Sequence, residues 1–151
     1  MKYSLLVLTV LVVIVTACNK DKFTSKPQVE VKSISPSDTV YSGNIITLKG
    51  KFTDDEGDLD STYVVYKWYN GTAVVKSDTF RYPFSELNLP YDLREAEMEI
   101  NYEYNTFNTD FKPLSGVSPR DTTATFGLIL VDKKGQRSEY SESKKVRIKK
   151  P

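Results

Sequence analysis

Asp54, Asp55, Glu56, Asp58 and Asp60 put five carboxylates within seven residues, with Gly57 among them. The acids at 54, 56, 58 and 60 recur at alternate positions, a spacing that lets a curled loop aim several hard oxygens at one cation, while Gly57 permits the bend. Calcium suits such a set better than magnesium, which keeps more of its own waters. The segment is not an EF-hand. Gly stands at the fourth position from Asp54 instead of the sixth, and the twelfth is Val65 where a bidentate Glu is required. The same residues also suit an ordinary solvated turn, whose Asp side chains accept local N–H bonds. Crowded exposed acids repel by a few tenths to about one kcal/mol per pair, a cost that a divalent ion would offset.

Other chemistries are poorly supplied. The chain has no His, which removes the commonest general base, the partner of a nucleophilic serine and the commonest transition-metal ligand. Glycoside hydrolysis needs two carboxylates flanking a site at about 5 to 9.5 Å, and a small domain with exposed acids offers no evident cleft. The expectation is a protein without catalytic activity. Ten tyrosines and one Trp suit sugar faces, because flat amphipathic rings stack on them. Tyr63, Tyr69, Tyr82 and Tyr91 are the candidates, against the plain reading that Tyr is a favoured strand residue.

The elements that must position these groups begin after a leader. Lys2 is followed by an apolar run from Leu5 to Val15 and by two small residues before the only cysteine, Cys18. That is the build of a secretory signal over residues 1–17, too short for the roughly 20 residues of a spanning helix. Val15-Thr16-Ala17-Cys18 resembles the lipobox of bacterial lipoproteins. The resemblance implies cleavage before Cys18, diacylation of its thiol and acylation of the new amino terminus, palmitate-type chains that would hold the protein on a membrane. Removing residues 1–17 takes away one Lys, leaving 20 basic and 20 acidic side chains, and nothing in that balance argues for nucleic acid. Asn19 lacks the acidic character that retains many lipoproteins at an inner membrane, so the resemblance favours the outer membrane.

Residues 18–27 read as a polar tether and residues 28–151 as one domain. From Gln28 onward the apolar pattern has period two and is broken by Gly, Pro, Asn and Asp, the signature of strands. Ile46, Leu48, Gly50 and Phe52 share a face; so do Val64, Tyr66 and Trp68; so do Met98, Ile100, Tyr102 and Tyr104; so do Phe126, Leu128 and Leu130. Asn70-Gly71 marks a hairpin into Ala73 to Val75, and Lys133-Lys134-Gly135 a second turn. Asp92 with Glu95 makes a capping box that predicts a short helix over 92–97. Alternating Lys and Arg over 144–150 suit a protected edge strand.

About seven strands with a central Trp predict an all-β, two-sheet antiparallel sandwich. The pattern resembles immunoglobulin, fibronectin type III and cadherin-like domains. In such a sandwich the loop after the second strand shares an end with the loop after the sixth, which puts Asp132 beside the acidic cluster. The expected calcium ligands are therefore Asp54, Glu56, Asp58, Asp60 and Asp132. The same likeness brings the tether in at that end and sends the C-terminal lysines to the other. The function expected is a lipid-anchored, non-catalytic cell-envelope module that binds or assembles with a surface or periplasmic complex. A glycan-binding accessory lipoprotein and a calcium-stabilised spacer are the alternatives.

Overall fold

A computed structural model describes residues 25–86, 90, 92–105, 111–114 and 120–151. The leader, Cys18, the first part of the tether and Tyr91 lie outside the described residues. The strands are β1 (Gln28–Ser35), β2 (Thr39–Val40), β3 (Ile45–Thr53), β4 (Leu59–Asn70), β5 (Ala73–Pro83), β6 (Glu95–Glu103), β7 (Lys112–Pro113), β8 (Thr122–Asp132), β9 (Ser141–Glu142) and β10 (Val146–Ile148), with one 3-10 turn at Phe84–Glu86. They form a four-stranded sheet in the order β1, β3, β6, β7 and a six-stranded sheet in the order β2, β10, β8, β4, β5, with β9 paired to β8. The domain is an all-β, immunoglobulin-like two-sheet sandwich. Among the described residues no helix is long and apolar enough to cross a membrane.

The expected antiparallel pairing needs one correction. The two sheets are mixed, because β2 joins β10 in parallel and β7 joins β6 in parallel. The three two-residue strands, β2, β7 and β9, are too short to show periodicity, which also explains why about seven strands were expected and ten are found among the described residues. The helix expected over 92–97 is absent: residues 92–94 lead into β6, where Thr53, Phe52 and Lys51 pair with Glu95, Ala96 and Glu97, and Lys51 and Glu95 form an ion pair. Ladder pairing overrides the local capping signal. Nor is the basic segment an edge strand, since β10 is flanked on both sides by β2 and β8.

The faces fall as the alternation requires. Ile46, Leu48, Val64, Tyr66, Trp68, Tyr102, Phe126 and Leu128 are buried between the sheets. Their aromatic rings form a chain, with centroids 5.6 Å apart for Tyr66 and Phe80, 5.9 Å for Phe80 and Tyr102, and 6.0 Å for Tyr102 and Phe126. A smaller cluster of Phe52, Phe84 and Leu130 closes the core under the acidic loop. The outer face of the six-stranded sheet is covered by the segment before β10. Tyr140 lies on Gly127, where a Cβ would come within 2.4 Å of the ring, and Lys67 Nζ sits 4.2 Å from the Tyr140 centroid.

The tether's last residues already belong to the domain. Pro27 is buried, Lys26 pairs with Glu139 at 2.7 Å, and Gln136 donates to the Ser25 carbonyl. The chain thus enters beside the 132–136 turn. Ile148 pairs with Thr122, at the far end of β8 from Asp132. Eleven residues of β8 separate these ends by roughly 33 Å.

Candidate functional site

The acidic loop joins β3 to β4. Its start is fixed by Asp54 N–H donating to the Arg94 carbonyl at 2.8 Å. Asp54 Oδ2 accepts from the Asp58 N–H at 3.0 Å, curling the loop through Gly57, whose φ is +67°. The neighbouring turn is built alike, with Asp132 Oδ1 accepting from the Gln136 N–H at 2.7 Å. Lys133 N–H donates to the Asp58 carbonyl at 2.8 Å and stitches the two together. Asp132 therefore does sit against the acidic loop.

The five expected ligands divide into two groups. Glu56 is paired with Lys134. Asp60 is held by Arg81 at 2.9 Å and accepts from Ser61, and these bonds lower its pKa. Asp54, Asp58 and Asp132 are left, the first and last of them buried and Asp58 half-buried. Asp54 is 0% exposed and Asp132 2%. Asp54 Oδ1, Asp58 Oδ1 and Asp132 Oδ2 are all buried without a hydrogen-bond partner. Such orphaned polar oxygens are costly. Burial raises the Asp54 pKa, the Asp58 N–H opposes this, and the Asp58, Asp132 and Glu56 carboxylates add to the rise. Among the described residues no three His, Cys, Asp or Glu side chains are gathered into a metal-holding group.

The pH dependence follows from the direction of that shift. A carboxyl whose folded pKa is raised holds its proton more tightly in the folded chain. Its stabilising contribution is complete below the unfolded value and is lost as pH rises through the folded one. Asp54→Asn keeps an oxygen for the Asp58 N–H but cannot ionise. In EDTA the variant should therefore melt above the wild type, by a margin that widens between about pH 4 and pH 7. A margin constant with pH would show that Asp54 ionises freely.

The tyrosines do not make one platform. Tyr69 is 8% exposed, its hydroxyl is within 3.3 Å of Thr125 Oγ1, and Lys145 Nζ covers its ring at 4.0 Å. Tyr63 is half-buried beneath Arg137, whose Cζ lies 5.3 Å from the ring centroid. Tyr82 lies on the inner face of β5, where burial raises its pKa next to Tyr102. The cations Arg81 and Lys134, which remove two acids from the cluster, were not anticipated, because no sequence spacing links them to it.

No protein-family model matches the chain, and no curated protein matches it. Among solved structures it is similar to an alkylpurine DNA glycosylase from Pseudomonas fluorescens bound to DNA containing an abasic site analog, at 9% identity and a TM-score of 0.47, over 83% of this chain and 31% of that one. It is similar to a sporulation control protein from Bacillus subtilis, at 10% identity and a TM-score of 0.46, over 85% and 51%. A CARDB domain from Pyrococcus furiosus in complex with di-metal ions matches at 14% identity and a TM-score of 0.32, over 81% and 86%. The chain thus spans about a third and a half of the first two.

Proposed function

We propose that this chain is a lipid-anchored, non-catalytic module of a bacterial outer membrane, binding or assembling with a protein of a surface or periplasmic complex. The observation that carries this reading is the lipobox Val15-Thr16-Ala17-Cys18 standing ten residues before a sandwich that receives the chain at one end. An anchor at Cys18 would leave the opposite end, with Lys149 paired to Asp121 at 2.6 Å, turned toward partners. The lack of His supports a binding role over a catalytic one. Stable anchoring needs two or more hydrophobic signals, which thioether-linked acyl chains supply. Wild-type protein in its host should incorporate labelled palmitate and sediment with membranes, whereas Cys18→Ser should lose the label. Retention of label by Cys18→Ser would overturn the reading.

A second reading, a calcium-stabilised spacer, is favoured by the three orphaned carboxylate oxygens of Asp54, Asp58 and Asp132. A calcium ion drawing these three together, with loop carbonyls, would relieve their burial. Millimolar calcium should then raise the melting temperature of the wild type by several degrees over EDTA, since a ligand at 100 times its Kd adds about 2.7 kcal/mol. Asp54→Asn plus Asp58→Asn should show no rise. An equal rise in both proteins, or none in either, removes this reading without touching the anchor.

A further inference from the structure

The two open edges of the sandwich are closed differently. On one side the Val31 N–H donates to Ser141 Oγ at 2.9 Å, tying β1 to β9. On the other, among the described residues, β5 and β6 are the outer long strands of their sheets and the two-residue β7 pairs with β6. Residues of both long strands line a cavity of about 300 Å³. Tyr82, Phe84, Met98, Ile100 and Phe111 give it apolar walls. Thr62, 3% exposed, lines it from the β4 side, and its Oγ1 is buried with no hydrogen-bond partner. Lys112 also lines it, its ammonium 3.9 Å from the Phe80 ring centroid and 5.7 Å from that of Tyr82.

We propose that this cavity binds a medium-chain hydroxy fatty acid, an unbranched carboxylate of about ten carbons that carries a hydroxyl on its chain. The argument is independent of the anchor. A volume of 300 Å³ equals that of roughly ten waters in the liquid, enough for an alkyl chain of about ten carbons. Apolar walls with a few placed polar groups are the usual make-up of a small-molecule site. The acid head is selected by Lys112, which has ring contacts but no carboxylate partner among the described residues. Glu99 also lines the cavity, and its charge is taken up by Lys49 at 3.2 Å. The chain hydroxyl answers the orphaned Thr62 hydroxyl, which can donate to or accept from it. A sugar would leave the apolar walls unused, and a plain alkane would leave both polar groups unanswered.

The test is photo-crosslinking of the full chain in phospholipid nanodiscs with ω-hydroxydecanoate carrying a mid-chain diazirine. Label should fall on Met98, Ile100 and Phe111 and be displaced by unlabelled ω-hydroxydecanoate. Lys112→Gln, an exposed change that leaves the core intact, should weaken displacement about tenfold. Ile100→Trp should abolish labelling by filling the cavity, with circular dichroism to verify folding. Thr62→Val should erase the preference for ω-hydroxydecanoate over decanoate. Label scattered over the sandwich, equal displacement by neutral decanol, or an unchanged Lys112→Gln would each overturn the proposal.

Discussion

Trp68→Ala should lower stability by about 3 to 5 kcal/mol, the range for emptying a large aromatic from a packed core. Trp68 is 2% exposed near the end of β4, its ring 5.8 Å from that of Tyr66 in an edge-to-face pair. It is flanked in the sheet by Ala124 of β8 and Lys76 of β5. Neither of these neighbours can refill the space: Ala124 is small and Lys76 would have to bury its charge. With total stabilities of about 5 to 15 kcal/mol for a domain of this kind, the variant should sit near its unfolding midpoint at modest urea. Trp68→Phe should recover part of the loss. An unfolding free energy from urea melts of Trp68→Ala within about 1 kcal/mol of wild type would mean that Trp68 is not packed as described.

Gly57→Ala should cost more than the same change at Gly135. Both glycines have positive φ, +67° and +80°, and an L side chain there costs about 1 to 2 kcal/mol. At Gly135 nothing lies within 4 Å of an added Cβ, so only that conformational cost applies. At Gly57 the Cβ would come within 2.9 Å of the Asp92 carbonyl carbon and 3.0 Å of its oxygen. These are backbone atoms, so the whole acidic loop or the lead-in to β6 must move. The difference between the two variants in denaturant melts isolates this contact. Equal losses would falsify the close approach. Because the loop also carries Asp54 and Asp58, Gly57→Ala should blunt any response to calcium as well.

Several parts of this molecule are legible in the sequence. The long strands β3, β4, β6 and β8 have one face against the other sheet, so burial writes period two directly into their residue order. Strand β5 was expected to stop at Val75 and runs to Pro83. Its inner face reads Lys76, Asp78, Phe80, Tyr82, and the first two overhang the core, so the apolar signal fails just where the strand lies at a sheet edge. Such inward charges also deter pairing with another chain. The meeting of Asp132 with the acidic loop followed from which loops share an end. The loss of Glu56 and Asp60 to Lys134 and Arg81 did not, since those pairs are set by side-chain reach across the end of the sandwich. The cavity was equally illegible, because its walls come from β4, β5, β6 and the residues at β7, which no spacing in the sequence links.

Strand β10 has a consequence for the order of events in the molecule's life. Arg147 N–H donates to the Asp38 carbonyl and Lys149 N–H to the Val40 carbonyl, while β8 holds the opposite side. A chain made or threaded amino terminus first presents β2 more than a hundred residues before its partner exists. Until residue 148 emerges, β2 has no neighbour and β8 lacks one of its own. That edge of the six-stranded sheet is therefore the last part of the ladder to close. A protease acting before then would meet β2 and one side of β8 without their ladder partner.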